Sequence, residues 1–298
     1  MKNSPLAGVV MALSAAALWG TTGTAQTFAS SQTSPYWIGA LRLVIASLFF
    51  SVVVLVGRSS AVPIRSLPRL AWRWGILGGL CIAAYNLSFF AGVKATGVAT
   101  GTAVAIGSGP VWVGLLQSLI SRQAPRPFWW FGTALAIMGI NLMLSGRGTG
   151  ARFDALGLGL CLAAGLAYAG YTIVSKHLVG LTSPEIATCL VFTVAAIVAV
   201  PIAATVSDAF TATPATWVMV SYLGLIATGI SFLLFSHALC SISVTTGVTL
   251  SLAEPVTAFV LAIFVVGEQP GVLALGGLGL VMAGLLLVVW VETQNHLR

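Results

Sequence analysis

A chain of 298 residues, 58% hydrophobic and only 6% charged, is not an ordinary soluble globule, because such domains carry about a quarter charged residues. Its mean hydropathy of +1.03 is that of an integral membrane protein. The net charge of +7 is spread over short loops with no Lys/Arg stripe. That argues against a nucleic-acid partner and leaves anionic lipid headgroups to meet the charge.

A helix needs about 20 apolar residues to cross a bilayer. The sequence offers ten such stretches, near 5–28, 36–57, 72–93, 98–120, 128–145, 154–176, 185–206, 215–237, 245–266 and 271–291. The first follows Lys2 and could mimic a signal peptide, but its apolar run is too long for one. The longest connection, Gly57 to Ala71, carries Arg58, Arg65 and Arg69, with Pro63 and Pro68 blocking a helix. No connection is long enough for a soluble domain. With the N-terminus inside, the inner loops and ends hold nine basic residues: Lys2, Arg58, Arg65, Arg69, Arg73, Arg122, Arg126, Lys176 and Arg298. The outer loops hold three, Lys94, Arg147 and Arg152. This bias predicts cytoplasmic termini. Cys81, Cys161, Cys189 and Cys240 lie within or beside apolar runs without a Cys-x-x-Cys. They read as small hydrophobes rather than metal ligands or disulfide partners.

The chain repeats itself. At an offset of 149, Thr33-Ser34-Pro35 falls on Thr182-Ser183-Pro184, Gly8 on Gly157, and Trp19 on Tyr168. Further on the offset is 145: Phe90 falls on Phe235, Thr100 on Thr245, and Pro110 on Pro255. Pro125, Gly132 and Gly139 then fall on Pro270, Gly277 and Gly284. Each half has five spans. Five is odd, so the second half enters the membrane from the opposite side. The expected fold is an all-α polytopic membrane protein of two inverted five-helix repeats, 5–145 and 154–291. Such repeats place a shared site near the bilayer midplane and permit alternating access.

Glu254-Pro255 sits midway along the ninth span. A carboxylate there is costly in hydrocarbon and normally faces a bundle interior or a water-filled cavity. Pro255 removes a backbone donor and is expected to kink or loosen the helix, as is Pro110 in the first half. Gly109 stands opposite Glu254, and Gln123 opposite Glu268, so the polar site is asymmetric.

Trp19-Gly20 in the first span, the Ser-Pro before the second, and Glu254-Pro255 followed by Gly267-Glu268 resemble the EamA-type repeat of the drug/metabolite transporter superfamily, once per half. Within it the chain is similar to the bacterial aromatic amino acid exporters. The resemblance implies a ten-helix basket in the inner membrane. Spans one, three, four, six, eight and nine would line a central cavity, with five and ten at the periphery. It also draws attention to Trp19, Pro110, Pro255 and the basic Lys176, whose repeat partner is Thr27.

The candidate substrate-binding residues are Trp19, Tyr85, Asn86, Phe89, Ser108, Trp112, Tyr168, Tyr171, Ser231 and Glu254. Tyr85 and Phe89 share a helical face, as do Ser108 with Trp112 and Tyr168 with Tyr171. Aromatic walls stack on flat rings or attract a cation, and Asn or Ser can bond the ends of an amino acid. The same aromatics could simply pack. Trp37, Trp72, Trp74, Trp129, Trp130, Trp217 and Trp290, near span ends, read as interfacial anchors. Glu254 could carry a proton, bind a substrate ammonium, or pair with Arg42. Lys176 and His237 read as snorkelling groups. Gly20, Gly23, Pro110 and Pro255 are the candidate hinges. The stretch Gly97 to Gly109 allows close helix packing and is no phosphate loop.

The leading expectation is a secondary exporter of neutral and aromatic amino acids. The alternatives are a multidrug exporter of flat organic cations and, remotely, an integral membrane enzyme. The scattered His177, His237 and His296 argue against the enzyme, and no like-charged ring or carbonyl filter marks a channel. No cofactor or metal is implied. The expected partners are a small-molecule substrate and membrane lipids, for a monomer or weak homodimer.

Overall fold

In the computed structural model the described residues are 4–27, 34–57, 67–122, 124–145, 154–207, 210, 213–267 and 269–296. Lys2, Thr33, Arg58, Pro63, Arg65, Gln123, Arg147, Arg152, Glu268 and Arg298, invoked above, lie outside them, as does the side chain of Thr27. The described residues form ten helical rods. These are α1 (Pro5–Thr27), α2 (Pro35–Val56), α3 (Arg69–Thr96), α4 (Val98–Ser121), α5 (Pro127–Ser145), α6 (Ala155–Leu178), α7 (Pro184–Val206), α8 (Pro214–Leu239), α9 (Val244–Leu250 continuing to Val266) and α10 (Val272–His296). Nine are long and apolar enough to cross a membrane; α5 is apolar over the shorter Pro127–Met143. Their edges fall within a few residues of the sequence reading, the largest difference being the extra turn on α10.

Local chemistry starts these helices. Asp154 caps α6, accepting from the amides of Leu156 and Gly157. Ser183, Thr213 and Ser243 cap α7, α8 and α9. Pro35, Pro184 and Pro214 occupy the first turn, where a missing N–H is no loss. The repeated Ser-Pro is thus a helix-start signal. Gly97 and Gly267, at φ 91° and 80°, turn the chain after α3 and α9 where a side chain would be strained.

Two rods are broken. In α8, Leu225–Ile230 widens to a π-helix. In α9 the α-helix ends at Leu250, tightens to 3₁₀ over Ser251–Ala253, resumes at Glu254–Leu261 and widens over Ala262–Val266. Pro255 enters at the resumption. By contrast α4 runs through Pro110 without a change of helix type, so that proline does not break its rod.

Glycines fix how the halves meet. A Cβ on Gly132 would lie 3.0 Å from the Gly284 carbonyl, and one on Gly139 would lie 2.5 Å from that of Gly277. The residue numbers run in opposite directions, so α5 and α10 are antiparallel. Gly132 and Gly139 are also the repeat partners of Gly277 and Gly284, so this is a self-complementary twofold contact. The same operation relates Gly8 against Ser241 to Gly157 against Thr96. In α2 and α7, Ser47 meets Thr193 and Ser51 meets Cys189, again antiparallel. With these contacts α1 packs on α8 and α9 as α6 packs on α3 and α4. The two halves are therefore inverted about an axis lying across the helices.

Candidate substrate site at the centre of the bundle

The aromatic residues singled out in the sequence converge on Tyr168. Its ring lies 6.3 Å from Trp19, 5.7 Å from Tyr85, 6.2 Å from Tyr171 and 6.4 Å from Phe235. Tyr85 stacks on Phe89 at 5.7 Å, one helical turn along α3. Trp19 is flanked by Phe232 and Phe235 at 4.9 and 5.3 Å. The cluster spans α1, α3, α6 and α8, and Trp19 touches its own repeat partner, Tyr168. The Trp19 Nε1 and the Tyr168 and Tyr171 hydroxyls are buried without a hydrogen-bond partner. Tyr171, at 1% exposure, belongs to the packed core more than to any wall.

Glu254 joins from α9. Gly20 lets α1 press on that point: a Cβ there would come within 2.5 Å of the Glu254 carbonyl and 2.6 Å of Thr257. The Glu254 carboxyl accepts no hydrogen bond from the described residues and remains partly accessible. It does not ion-pair directly with Arg42, as the sequence allowed. The Arg42 guanidinium instead donates to Asn86 Oδ1 at 2.8 Å and lies 5.8 Å from the Phe90 ring. Asn86 donates in turn to the Ile82 carbonyl and is 4% exposed.

The remaining candidates make their contacts around the edge of this cluster or within their own helices. The Ser108 hydroxyl donates to the Ala105 carbonyl where α4 crosses α6 at Gly165. Trp112 packs on a cluster around Val113, Trp129 and Ile173, which Tyr168 also borders. Ser231 is fully buried, donating to the Ala227 and Thr228 carbonyls at the end of the wide turn in α8. Gly109 does lie on the cluster: a Cβ there would be 3.6 Å from the Tyr168 ring. Of the proposed hinges, Gly20 sits at a tight crossing, while Gly23 has nothing within 4 Å.

Some end-of-span readings change. Lys176 does not snorkel; its ammonium donates to the Leu239 and Ile242 carbonyls at 2.5 and 2.9 Å, tying α6 to the end of α8. His237 lies 3.2 Å from Glu185. Trp129 is 2% exposed, held by its pocket rather than lying at a surface. Glu292, which the sequence reading passed over, is 3% exposed and accepts from the Ser243 amide, the Ser243 hydroxyl and the Thr246 hydroxyl. The four cysteines are free, and no group of His, Cys, Asp or Glu among the described residues could hold a metal.

The space beside the cluster is one-sided. A cavity of about 570 Å³ opens between α1, α8 and α9, lined by Thr21, Thr24, Ala25, Met219, Tyr222 and Leu261 among others. It lies at the bundle end opposite the termini, where Tyr222 donates to the Thr21 hydroxyl at 2.8 Å. The central rings themselves are in close contact and none of them lines this cavity, so it is not the central chamber expected from the sequence. At the termini end the equivalent α3–α6 pair is shut: a Cβ on Gly78 would lie 3.2 Å from Val174, and Trp74 stacks on His177 at 5.1 Å.

The sequence matches the EamA-like transporter family twice, over residues 6–145 and again over 155–290. The chain belongs to the EamA-like transporter family. It is a multi-pass membrane transporter of the drug/metabolite type rather than an enzyme. It is 37% identical over 276 residues to the "Uncharacterized transporter YwfM" of Bacillus subtilis (strain 168), covering 93% of this chain and 91% of that one. A solved crystal structure of a protein 20% identical superposes with a TM-score of 0.81, covering 97% of this chain and 98% of the other. That likeness bears on the fold alone, and it extends over both EamA repeats.

Proposed function

We propose that this EamA-family transporter exports neutral amino acids, aromatic ones included, across the bacterial inner membrane by alternating access. Both termini would be cytoplasmic, as the excess of inner Lys and Arg favours. Each five-helix unit, 5–145 and 154–291, would act as one half of the moving machine. The observation carrying this reading is the Tyr168 cluster at the seam between the halves, with the Glu254 backbone packed on Gly20 next to Trp19. Trp19, Tyr85, Phe89 and Tyr168 offer ring faces and edges to a flat side chain. Trp19 Nε1 and the Tyr168 hydroxyl have unmet hydrogen-bonding capacity for a ligand's polar atoms. The one-sided opening fits a rocking mechanism, since a twofold scaffold has a mirror state with the other end open.

The second reading, export of flat organic cations, draws on the same carboxylate and aromatic box. The Arg42 guanidinium next to Asn86 works against it, because a bound cation would be repelled. Proteoliposomes containing the full chain decide between them. Labelled phenylalanine should accumulate, and a cationic dye should compete weakly. Dye competition with no amino acid flux would overturn the first reading in favour of the second.

A further inference from the structure

The scaffold is twofold, yet the charges at its centre are not. Val191 stands at the repeat position of Arg42, and Gly109 at that of Glu254. A symmetric pair of halves has no structural need for one cation on α2 and one anion on α9. Each is costly at membrane depth and marks function by default. The two do not neutralise each other directly. Arg42 is held by Asn86 and Phe90, with its Nε buried and unpartnered. Glu254 is half-buried, with its backbone pressed on Gly20 beside Trp19. Between them lie the rings: Tyr85, next in sequence to the Asn86 that holds Arg42, meets Tyr168, and Tyr168 meets Trp19, whose neighbour Gly20 packs on the Glu254 backbone.

We infer that Arg42 is the anchor for the substrate carboxylate, set by Asn86, and that Glu254 receives the substrate ammonium, so that a zwitterionic amino acid docks head-on between them with its side chain against Tyr85, Tyr168 and Trp19. This rests on the amino acid reading above and deepens it. Asn86 is a positioning residue: its Oδ1 takes one guanidinium N–H and leaves the rest of the donor fork free for a carboxylate. The Phe90 ring braces the cation from the side. The arrangement also orients the ligand. Because Arg42 and Glu254 have no counterparts in the other half, a dipolar ligand is bound one way round.

The test uses purified full-length protein. Binding is read as ligand-induced thermal stabilisation, and transport as uptake into proteoliposomes. The probes are phenylalanine, phenethylamine (no carboxylate) and 3-phenylpropionate (no ammonium). The wild type should prefer phenylalanine to either analogue by about ten-fold or more, the worth of one charge-assisted contact. Arg42→Gln should raise KM for phenylalanine about ten-fold and abolish its preference over phenethylamine. Glu254→Gln should instead abolish the preference over 3-phenylpropionate. If the wild type carries phenylalanine but Arg42→Gln keeps the preference over phenethylamine, the assignment of Arg42 falls while the transport reading stands. If the wild type binds neither phenylalanine nor 3-phenylpropionate, both fall. Should Arg42→Gln fail to assemble, Asn86→Ala removes only the positioning contact. It should raise KM for phenylalanine several-fold with no change for phenethylamine, and an equal rise for both would overturn the proposal.

Discussion

Single residues set how closely the halves approach, and two glycines three positions apart make the point. At Gly20 an added methyl meets the Glu254 backbone and Thr257, which cannot swing aside as a side-chain tip could. Gly20→Ala should cost about 1–3 kcal/mol, the usual penalty for overpacking, and lower the thermal midpoint. Gly23→Ala meets nothing within 4 Å, so it should change stability by less than about 0.5 kcal/mol. Equal losses in the two variants would reject the crossing geometry. Glu292 is a different kind of lock. From α10 it accepts three hydrogen bonds at the start of α9, at 2.5 to 2.8 Å, where the helix dipole also favours an anion. Glu292→Ala strands these donors and should destabilise by about 2–4 kcal/mol. Glu292→Gln, which keeps one acceptor oxygen, should fall between. The order of thermal midpoints for the three proteins checks the claim.

At the scale of elements, the informative contrast is between α4 and α9. Both carry a proline at matched positions, yet only α9 changes helix type around it. Breaking a backbone ladder in mid-span is tolerated only where neighbours re-satisfy the freed groups, and the break sits beside Glu254 against α1. Pro255→Ala restores a donor and removes the ring's clash with the preceding turn. It should leave stability equal or higher while slowing transport several-fold. An unchanged initial rate in well-folded protein would show that the interruption is not used. The sequence showed the ten rods because hydropathy and Ser-Pro caps are local signals. It showed the inversion because an odd number of spans per repeat requires it. It did not show that Lys176 reaches the Leu239 and Ile242 carbonyls, or that Arg42 pairs with Asn86, because both contacts join distant spans. Nor did it separate Ser231 and Ser108, which bond their own helices, from residues of the site. A hydroxyl reads the same in sequence wherever it points. Phe232 and Phe235 were missed as neighbours of Trp19 for a related reason: a phenylalanine in an apolar run carries no mark of the face it occupies. For Phe235 the one signal was its repeat relation to Phe90.

Across the whole molecule, inverted symmetry makes the two ends comparable. The α1–α8 seam is open at the end away from the termini, beyond the Thr21–Tyr222 hydrogen bond. Its symmetry mate, the α3–α6 seam, is shut at the termini end by Gly78 on Val174 and by the Trp74–His177 stack. Alternating access requires these two seams to exchange states, so holding one shut should stop turnover without abolishing binding from the open end. In a variant with the four native cysteines replaced, cysteines at Trp74 and His177 joined by a short thiol cross-linker provide that lock. Phenylalanine flux should fall at least ten-fold on cross-linking and return when a cleavable linker is reduced. Thermal stabilisation by phenylalanine should stay within about two-fold of the uncross-linked protein in apparent affinity. Full flux with the linker in place would mean that α3 and α6 never part there, and the exchange of seams would be wrong. Loss of binding together with flux would mean that the open end is not the one through which the centre is reached.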